Sequence, residues 1–378
     1  MDELTWRLRL LHLPGFGAAR RYRLLQAFGS AKEAWHEPWA SLQQHCSLPK
    51  PLQSGWEERD RLSAGWQEDL RLAEEERVTL LALGDTDYPS GLLDIGDPPI
   101  LLYLQGSLTQ QDRSRPVAFV GTRHATSYGL AMAEQFARYC AAAQLTVVSG
   151  LARGIDTAAH QGALDAGGRT VAIVGSGLSR LYPPENRKLA QAICSQGALL
   201  SEFPMAVPPD KQTFPQRNRL IAAFCPRLLL VEAPEKSGAM ISCERAEALG
   251  RDCFALPGRL DYLSFGGNHK LLHEGKAQLV YEPSQLCSYY EQLPLMACKE
   301  NPSPTMTQPL AEEETALLQL LPPDELSLDE MAQLTGYPIQ KLASLVMRLV
   351  LKGALCESRG RRYTKPRSSI SWPTPLLP

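Results

Sequence analysis

No run of roughly 18 apolar residues, the length needed to span a bilayer, occurs anywhere in the 378-residue chain. A membrane-spanning helix is therefore not expected. The opening residues, Met1-Asp2-Glu3-Leu4-Thr5-Trp6, lack the basic-then-apolar pattern of a secretory leader, so a cytoplasmic location is expected. Charge of one sign is not in excess: 39 Lys and Arg face 41 Asp and Glu, a net charge of −2 that by itself points to no polyanionic partner. Nine cysteines are scattered without a C-x-x-C pair or a Cys/His cluster at zinc spacing, which excludes the common zinc modules and suits reduced thiols. Cys194, Cys225 and Cys253 sit in apolar stretches and read as core. Neither the dinucleotide fingerprint G-x-G-x-x-G nor the Walker A string G-x-x-x-x-G-K-[ST] is present. Nicotinamide and ATP enzymes are thereby disfavoured, and no cofactor or metal is expected.

What is there is enough apolar sequence, 44% of residues, for more than one packed core. Charge is uneven beneath its neutral average. Arg7, Arg9, Arg20, Arg21 and Arg23 fall between Leu4 and Ala31 with no acid among them, and Arg359, Arg361, Arg362, Lys365 and Arg367 crowd the other end. Near the N-terminus, Leu13-Pro14-Gly15-Phe16-Gly17 separates two amphipathic segments. The pattern reads as a helix-hairpin-helix whose backbone N–H groups meet a DNA phosphate, and equally as a plain turn between packed helices.

Between Pro116 and about Glu282, short apolar runs alternate with helical segments. Val117–Val120, Leu145–Val148, Thr170–Val174, Ala198–Leu200, Leu228–Val231 and Cys253–Leu256 lack polar alternation, as strands buried on both faces do. Helices are expected over Tyr128–Ala143, Thr157–Ala166, Arg187–Ser195 and Ile241–Leu249. The fold class is α/β, a Rossmann-like doubly wound and mostly parallel sheet. Two more strands, Leu80–Leu83 and Ile100–Leu104, precede it. Five segments are expected: a helical N-terminal domain at 1–75, the sheet domain at 76–290, a Pro-containing linker at 291–312, a winged helix at 313–367 and a disordered tail at 368–378. The winged helix could enter a DNA groove or meet a protein, and its second helix offers only Lys341, Arg348 and Lys352.

In an open parallel sheet, ligands bind where the loops leave the carboxyl ends of the strands. Here these loops carry Gly121-Thr122-Arg123, Ser149-Gly150, Gly175-Ser176-Gly177 and Ser237-Gly238. Glycines admit an anion to backbone N–H groups, and the helix starts that follow add partial positive charge. Several such loops along one edge suit a ligand with several phosphates, although tight turns alone explain any single one. Lys211-Gln212-Thr213-Phe214-Pro215-Gln216-Arg217-Asn218-Arg219 adds three cations and an aromatic with no acid. Arginines clamp phosphates, and an aromatic stacks on an unpaired base, which favours single strands over duplex. The plain alternative is a solvated loop with Phe214 tucked into the core. A catalytic set is hard to find: His160 follows Asp156 at helical spacing, where a mutual hydrogen bond is expected, and Glu232 ends a strand. All three read as structural.

In order along the chain stand Gly121-Thr122-Arg123, Ser149-Gly150-Leu151-Ala152-Arg153-Gly154-Ile155-Asp156 with Ala159-His160, Tyr182-Pro183-x-Glu185-Asn186, Ser201-Glu202-Phe203-Pro204, Phe214-Pro215-Gln216-Arg217-Asn218-Arg219 and Phe254-Ala255-Leu256-Pro257-Gly258. Together with Asp87-Tyr88-Pro89 upstream, these strings resemble the DprA/Smf family of DNA-processing proteins. The resemblance implies a non-enzymatic mediator that binds and protects single-stranded DNA in natural transformation, loads the recombinase RecA and forms a homodimer through its Rossmann-like domain. It implies that Arg123 contacts phosphate and that Lys211, Phe214, Arg217, Asn218 and Arg219 form the basic and aromatic DNA-binding segment. Gly175, Gly177, Ser237 and Gly238 would line the same pocket. Thr122 departs from the family's usual serine but keeps a hydroxyl. The enzyme alternative is a phosphoribohydrolase of the lysine-decarboxylase-like group, marked by Pro-Gly-Gly-x-Gly-Thr-x-x-Glu. Ala233-Pro234-Glu235-Lys236-Ser237-Gly238-Ala239-Met240 lacks its paired glycines.

Overall fold

The computed structural model describes residues 1–287, 311–322, 326–352, 354–358 and 362–365. The expected tail, nearly all of the expected linker and the basic residues Arg359, Arg361 and Arg367 lie outside the described residues. Two compact units are formed, Met1–Pro294 and Leu295–Pro378.

The first unit is built on nine strands: β1 (Thr79–Ala82), β2 (Leu101–Gly106), β3 (Pro116–Val120), β4 (Thr146–Ser149), β5 (Thr170–Ile173), β6 (Ala198–Ser201), β7 (Arg227–Leu230), β8 (Asp252–Ala255) and β9 (Gln278–Leu279). Their order is β1-β2-β6-β5-β4-β3-β7-β8-β9. All neighbours from β6 to β9 run parallel, while β2 pairs antiparallel with both β1 and β6. The chain winds outward from β3 through β4, β5 and β6, then returns to place β7 on the other side of β3. That reversal is the topological switch point at which open α/β sheets bind ligands.

Successive side chains of a strand point to opposite faces. Val117, Phe119, Val147 and Leu229 accordingly pack under the helices Ser127–Ala142 and Ile155–Asp165. Val120, Val148, Ile173 and Leu230 face the helices Thr213–Phe224 and Gly238–Ala248. Being covered on both sides, β3–β7 are buried throughout.

The N-terminal helices do not keep a core of their own. Trp6, Phe16, Trp35 and Trp56 belong to one apolar cluster with Tyr103 of β2, Ala172 of β5 and Leu199 of β6. The core is therefore continuous across the expected boundary at 75/76. Leu13–Gly17 does turn between two helices, Glu3–Leu11 and Ala18–Phe28. Two of the flanking arginines are spent inside the fold. Arg7 donates to the carbonyls of Leu83 and Ile100, and Arg9 pairs with Asp60 with its guanidinium 4.5 Å from the Trp35 ring centroid.

The second unit contains the helices Glu312–Leu320, Leu328–Thr335 and Ile339–Leu351 and a three-stranded ribbon. The ribbon strands are β10 (Leu326–Ser327), β11 (Cys356–Ser358) and β12 (Arg362–Thr364), in the order β10-β12-β11. This is a winged helix. Ser327 caps the middle helix reciprocally with Glu330, and Gly336 ends it at φ +70°. On the last helix Lys341 pairs with Glu313, while Arg348 and Lys352 pair with Glu314.

Candidate nucleic-acid interface

The loops leaving β3, β4, β5 and β7 converge with the Thr213–Phe224 helix at the switch point. The Lys211–Arg219 segment is not the solvated loop of the plain alternative but runs into the first two turns of that helix. Pro215 sits in the first turn, where its missing N–H costs no hydrogen bond. Helical spacing then distributes the segment. Phe214, Arg217 and Asn218, at i, i+3 and i+4, share the face turned toward the strand ends, whereas Gln216 and Arg219 face elsewhere.

Phe214 is half-buried, and its ring packs on Gly175, where an added Cβ would come within 2.9 Å of Cδ1. The exposed Arg123, from the loop after β3, holds its guanidinium 4.6 Å from the centroid of that ring. Tyr182, part of a family-like string but not among the expected site residues, stands on another side with ring centroids 6.2 Å apart. Thr213 donates its hydroxyl to the Gly175 carbonyl at 2.6 Å, tying the helix start to the β5 loop. Lys211 lies exposed just before the helix. A cation stacked on a half-exposed ring provides both charge and an apolar platform.

Arg217 takes a different position from the one expected. It is 3% exposed, and its Nη1 donates to the carbonyls of Gly150, at 2.6 Å, and Ile173. Burial lowers its pKa to about 10, against the opposing attraction of Asp156. Asp156 is held beneath the same loop, accepting the N–H groups of Gly150 at 3.1 Å and Ala152 at 3.2 Å. Gly150 is glycine because a Cβ there would overlap the Arg217 guanidinium. Arg217 and Gly150 thus form the floor of the groove.

Other expected site residues also turn inward. The Ser149 hydroxyl donates to the Phe119 carbonyl at 2.7 Å. A Cβ on Gly177 would overlap the carbonyls of Pro204 and Met205, so that glycine permits a close backbone approach. Arg219 is directed away from the strand ends and pairs with Glu202 and Asp97. The structure leaves Gly121, Thr122, Arg123, Gly175, Lys211, Phe214, Asn218, Ser237 and Gly238 together at the switch point. Thr122 accepts the His124 N–H and donates its own backbone N–H to the Glu232 carbonyl. Asn218 reaches across to the Gly238 carbonyl at 3.1 Å. Ser237 precedes the Gly238–Ala248 helix without capping it, and its buried hydroxyl has no hydrogen-bond partner among the described residues. An uncapped helix start is suited to an anion.

The three titratable candidates are absorbed by the scaffold. Asp156 and His160 do not bond each other: His160 shares a 2.7 Å hydrogen bond with Thr170 instead. Burial and the nearby Arg217 charge push His160 down to about 3. Glu232 accepts the backbone N–H and the hydroxyl of Thr126, fixing the start of the Ser127–Ala142 helix. Cys225 and Cys253 are buried and Cys194 is half-buried, with burial raising Cys194 and Cys253 to about 11.

Among the described residues no helix is long and apolar enough to cross a membrane. A family model described as DNA recombination-mediator protein A matches residues 79–291, and one described as the DprA winged helix domain matches residues 301–361. Protein Smf of Synechocystis sp. is 30% identical over 397 residues, covering 96% of this chain and 99% of its own. DNA processing protein DprA of Streptococcus pneumoniae is 40% identical over 226 residues, 59% of this chain and 79% of the relative. The X-ray structure of the S. pneumoniae protein superposes with a TM-score of 0.65 at 32% identity, covering 75% of this chain and 97% of that one. DNA processing protein A from Helicobacter pylori, whose structure is described for its single-stranded DNA binding mode, gives a TM-score of 0.52 at 30% identity. It covers 57% of this chain and 96% of the H. pylori chain.

Proposed function

The chain belongs to the DNA recombination-mediator protein A family, and from that premise we propose that it binds single-stranded DNA in the switch-point groove. The observation that carries the reading is the Arg123 guanidinium stacked on Phe214 at the rim of four glycine-bearing loops. Phosphates follow the loop N–H groups of Gly121 and Gly238 and are neutralised by Arg123 and Lys211. A base displaces or extends the Arg123–Phe214 stack, which needs an exposed base face and so selects against duplex. Arg217 acts from below, as a fixed positive charge beneath Gly150 in a setting where water does not screen it. No bond is made or broken. The bound strand is shielded and passed to RecA, and a homodimer joined through the sheet domain presents two such grooves during natural transformation.

The test is fluorescence anisotropy of a labelled single-stranded oligonucleotide, challenged with unlabelled duplex across a salt series. Duplex-resistant binding is expected, with a log–log salt slope of about −0.7 per phosphate neutralised. Arg123→Ala should weaken it strongly. Affinity indifferent to salt, or to Arg123→Ala, would overturn the groove.

A further inference from the structure

The aromatic surface at the switch point does not end at Phe214. Tyr182, from the turn between β5 and the Arg187–Gln196 helix, is 36% exposed. Its ring centroid lies 6.2 Å from that of Phe214, with the two planes inclined at 58°. Arg153, exposed on the loop after β4, holds its guanidinium 5.7 Å from the Tyr182 centroid. Arg123 on Phe214 and Arg153 on Tyr182 are thus two instances of one arrangement, a cation over a ring, set side by side.

The spacing of the rings says what they can hold. Stacked bases advance by about 3.4 Å along a strand, and the ring separation is nearly twice that, with the planes far from parallel. Neighbouring bases resting on Phe214 and Tyr182 are therefore unstacked from each other, as a single strand permits and a duplex does not. The charge around Tyr182 has the matching sign. Arg180, Arg187 and Lys188 are exposed within six residues of it, and none pairs with a carboxylate among the described residues. Between Leu178 and Gln196 the only acid is Glu185, and it pairs with Arg153. Both members of that pair are about half exposed, where an ion pair is worth little and a phosphate can take the place of the carboxylate.

We propose that Tyr182 is a second base platform and Arg153 its phosphate contact. The strand then runs from Phe214 across Tyr182 toward Arg180, Arg187 and Lys188, and Glu185 is the counter-ion that its phosphate displaces. The proposal rests on the groove reading and extends it, adding a second nucleotide, a path for the strand and an acid that restrains binding.

Photocross-linking of a 5-iodouracil-substituted single-stranded oligonucleotide to the full chain, with peptide mapping, tests it alongside anisotropy. Cross-links to the peptides carrying Phe214 and Tyr182 are both expected. Tyr182→Ala should weaken binding about tenfold, the scale of one stacked base, at an unchanged salt slope. Tyr182→Phe, which keeps the ring, should bind as wild type does. Arg153→Ala should lower the log–log salt slope by about 0.7. Glu185→Gln should tighten binding about two- to fivefold, the scale of an exposed ion pair that no longer competes. A gain of affinity cannot come from a misfolded variant, so this arm stands whatever Tyr182→Ala does to the fold. Cross-links confined to Phe214, wild-type affinity in Tyr182→Ala, or weaker binding by Glu185→Gln would overturn the second platform, and the groove would stand as long as Arg123→Ala still weakens binding. Indifference to Arg123→Ala would overturn the groove and this extension with it.

Discussion

Arg217 occupies the space that a side chain on Gly150 would need, and its Nη1 donates to the Gly150 carbonyl at 2.6 Å. The arginine of one element and the glycine of another therefore act as a single joint between the Thr213–Phe224 helix and the end of β4.

Arg217→Met should break that joint. It removes hydrogen bonds from a charged donor, worth about 1.5–3 kcal/mol each, and leaves Asp156 without its facing positive charge. The expected loss is about 3 kcal/mol, read as a lower urea midpoint at unchanged m-value. A variant as stable as wild type would show that the guanidinium is dispensable to the floor.

Gly129→Ala tests the anchoring of Glu232. A Cβ at 129 would overlap the Glu232 carboxylate and drive it from Thr126, whose hydroxyl it accepts at 2.8 Å. Ala gains about 1 kcal/mol over Gly in a helix, but overpacking costs about 1–3 and the lost charged hydrogen bonds about 1.5–3. The clash wins. The substitution should destabilise by about 2 kcal/mol, against the gain that propensity alone predicts.

His160 should make the protein acid-sensitive. Its folded pKa, about 3, lies below the ordinary histidine value of 6.5, chiefly through burial and then through the Arg217 charge. Below 6.5 the unfolded chain takes up a proton that the folded chain refuses, so stability falls as pH drops from 6.5 toward 3, by up to roughly 1.4 kcal/mol per pH unit. Asp156 and Glu202, raised by burial, act in the opposite sense at the acid end of that range. The cleanest window is therefore pH 6.5 to 5. There, thermal unfolding of His160→Gln should depend less on pH than wild type, and equal slopes would refute the assignment.

Phe214→Ala and Arg123→Ala should weaken oligonucleotide binding differently. Loss of a stacking platform costs about 1–3 kcal/mol per base and leaves the salt slope unchanged. Loss of a phosphate contact lowers the slope by about 0.7. Anisotropy at several salt concentrations separates the two, and an altered slope in Phe214→Ala would contradict its role as a base platform.

The sheet was legible because each of β3–β8 contains a short run of apolar and small residues, and each lies within about one residue of where those runs predict. β9 was not: it is two residues long and exposed, and leaves no apolar signature. The Thr213–Phe224 helix was hidden by a proline, an asparagine and two arginines, which resemble a loop until Pro215 is placed in a first turn. Once that helix is known, Arg217 and Arg219 cannot share a face, because residues two apart on a helix point to nearly opposite sides. Composition counts cations; only the helical period assigns one to the floor and the other to Glu202. Gly150 and Gly177 were recognisable as glycines under constraint, but the chain fragments that crowd them come from 27–67 residues away, which no local pattern records.

The shared core of the N-terminal helices bears on how this chain could be shortened. A fragment beginning at the first strand would keep every residue of the switch point, yet Tyr103, Val174, Ile193 and Leu199 would lose the tryptophans and leucines that cover them. Such a fragment would be sticky before it was inactive. Genetic loss of the first 75 residues would thus be tolerated only alongside polar replacements on that side of the sheet, and a protease nicking within them would yield an aggregate rather than a working core.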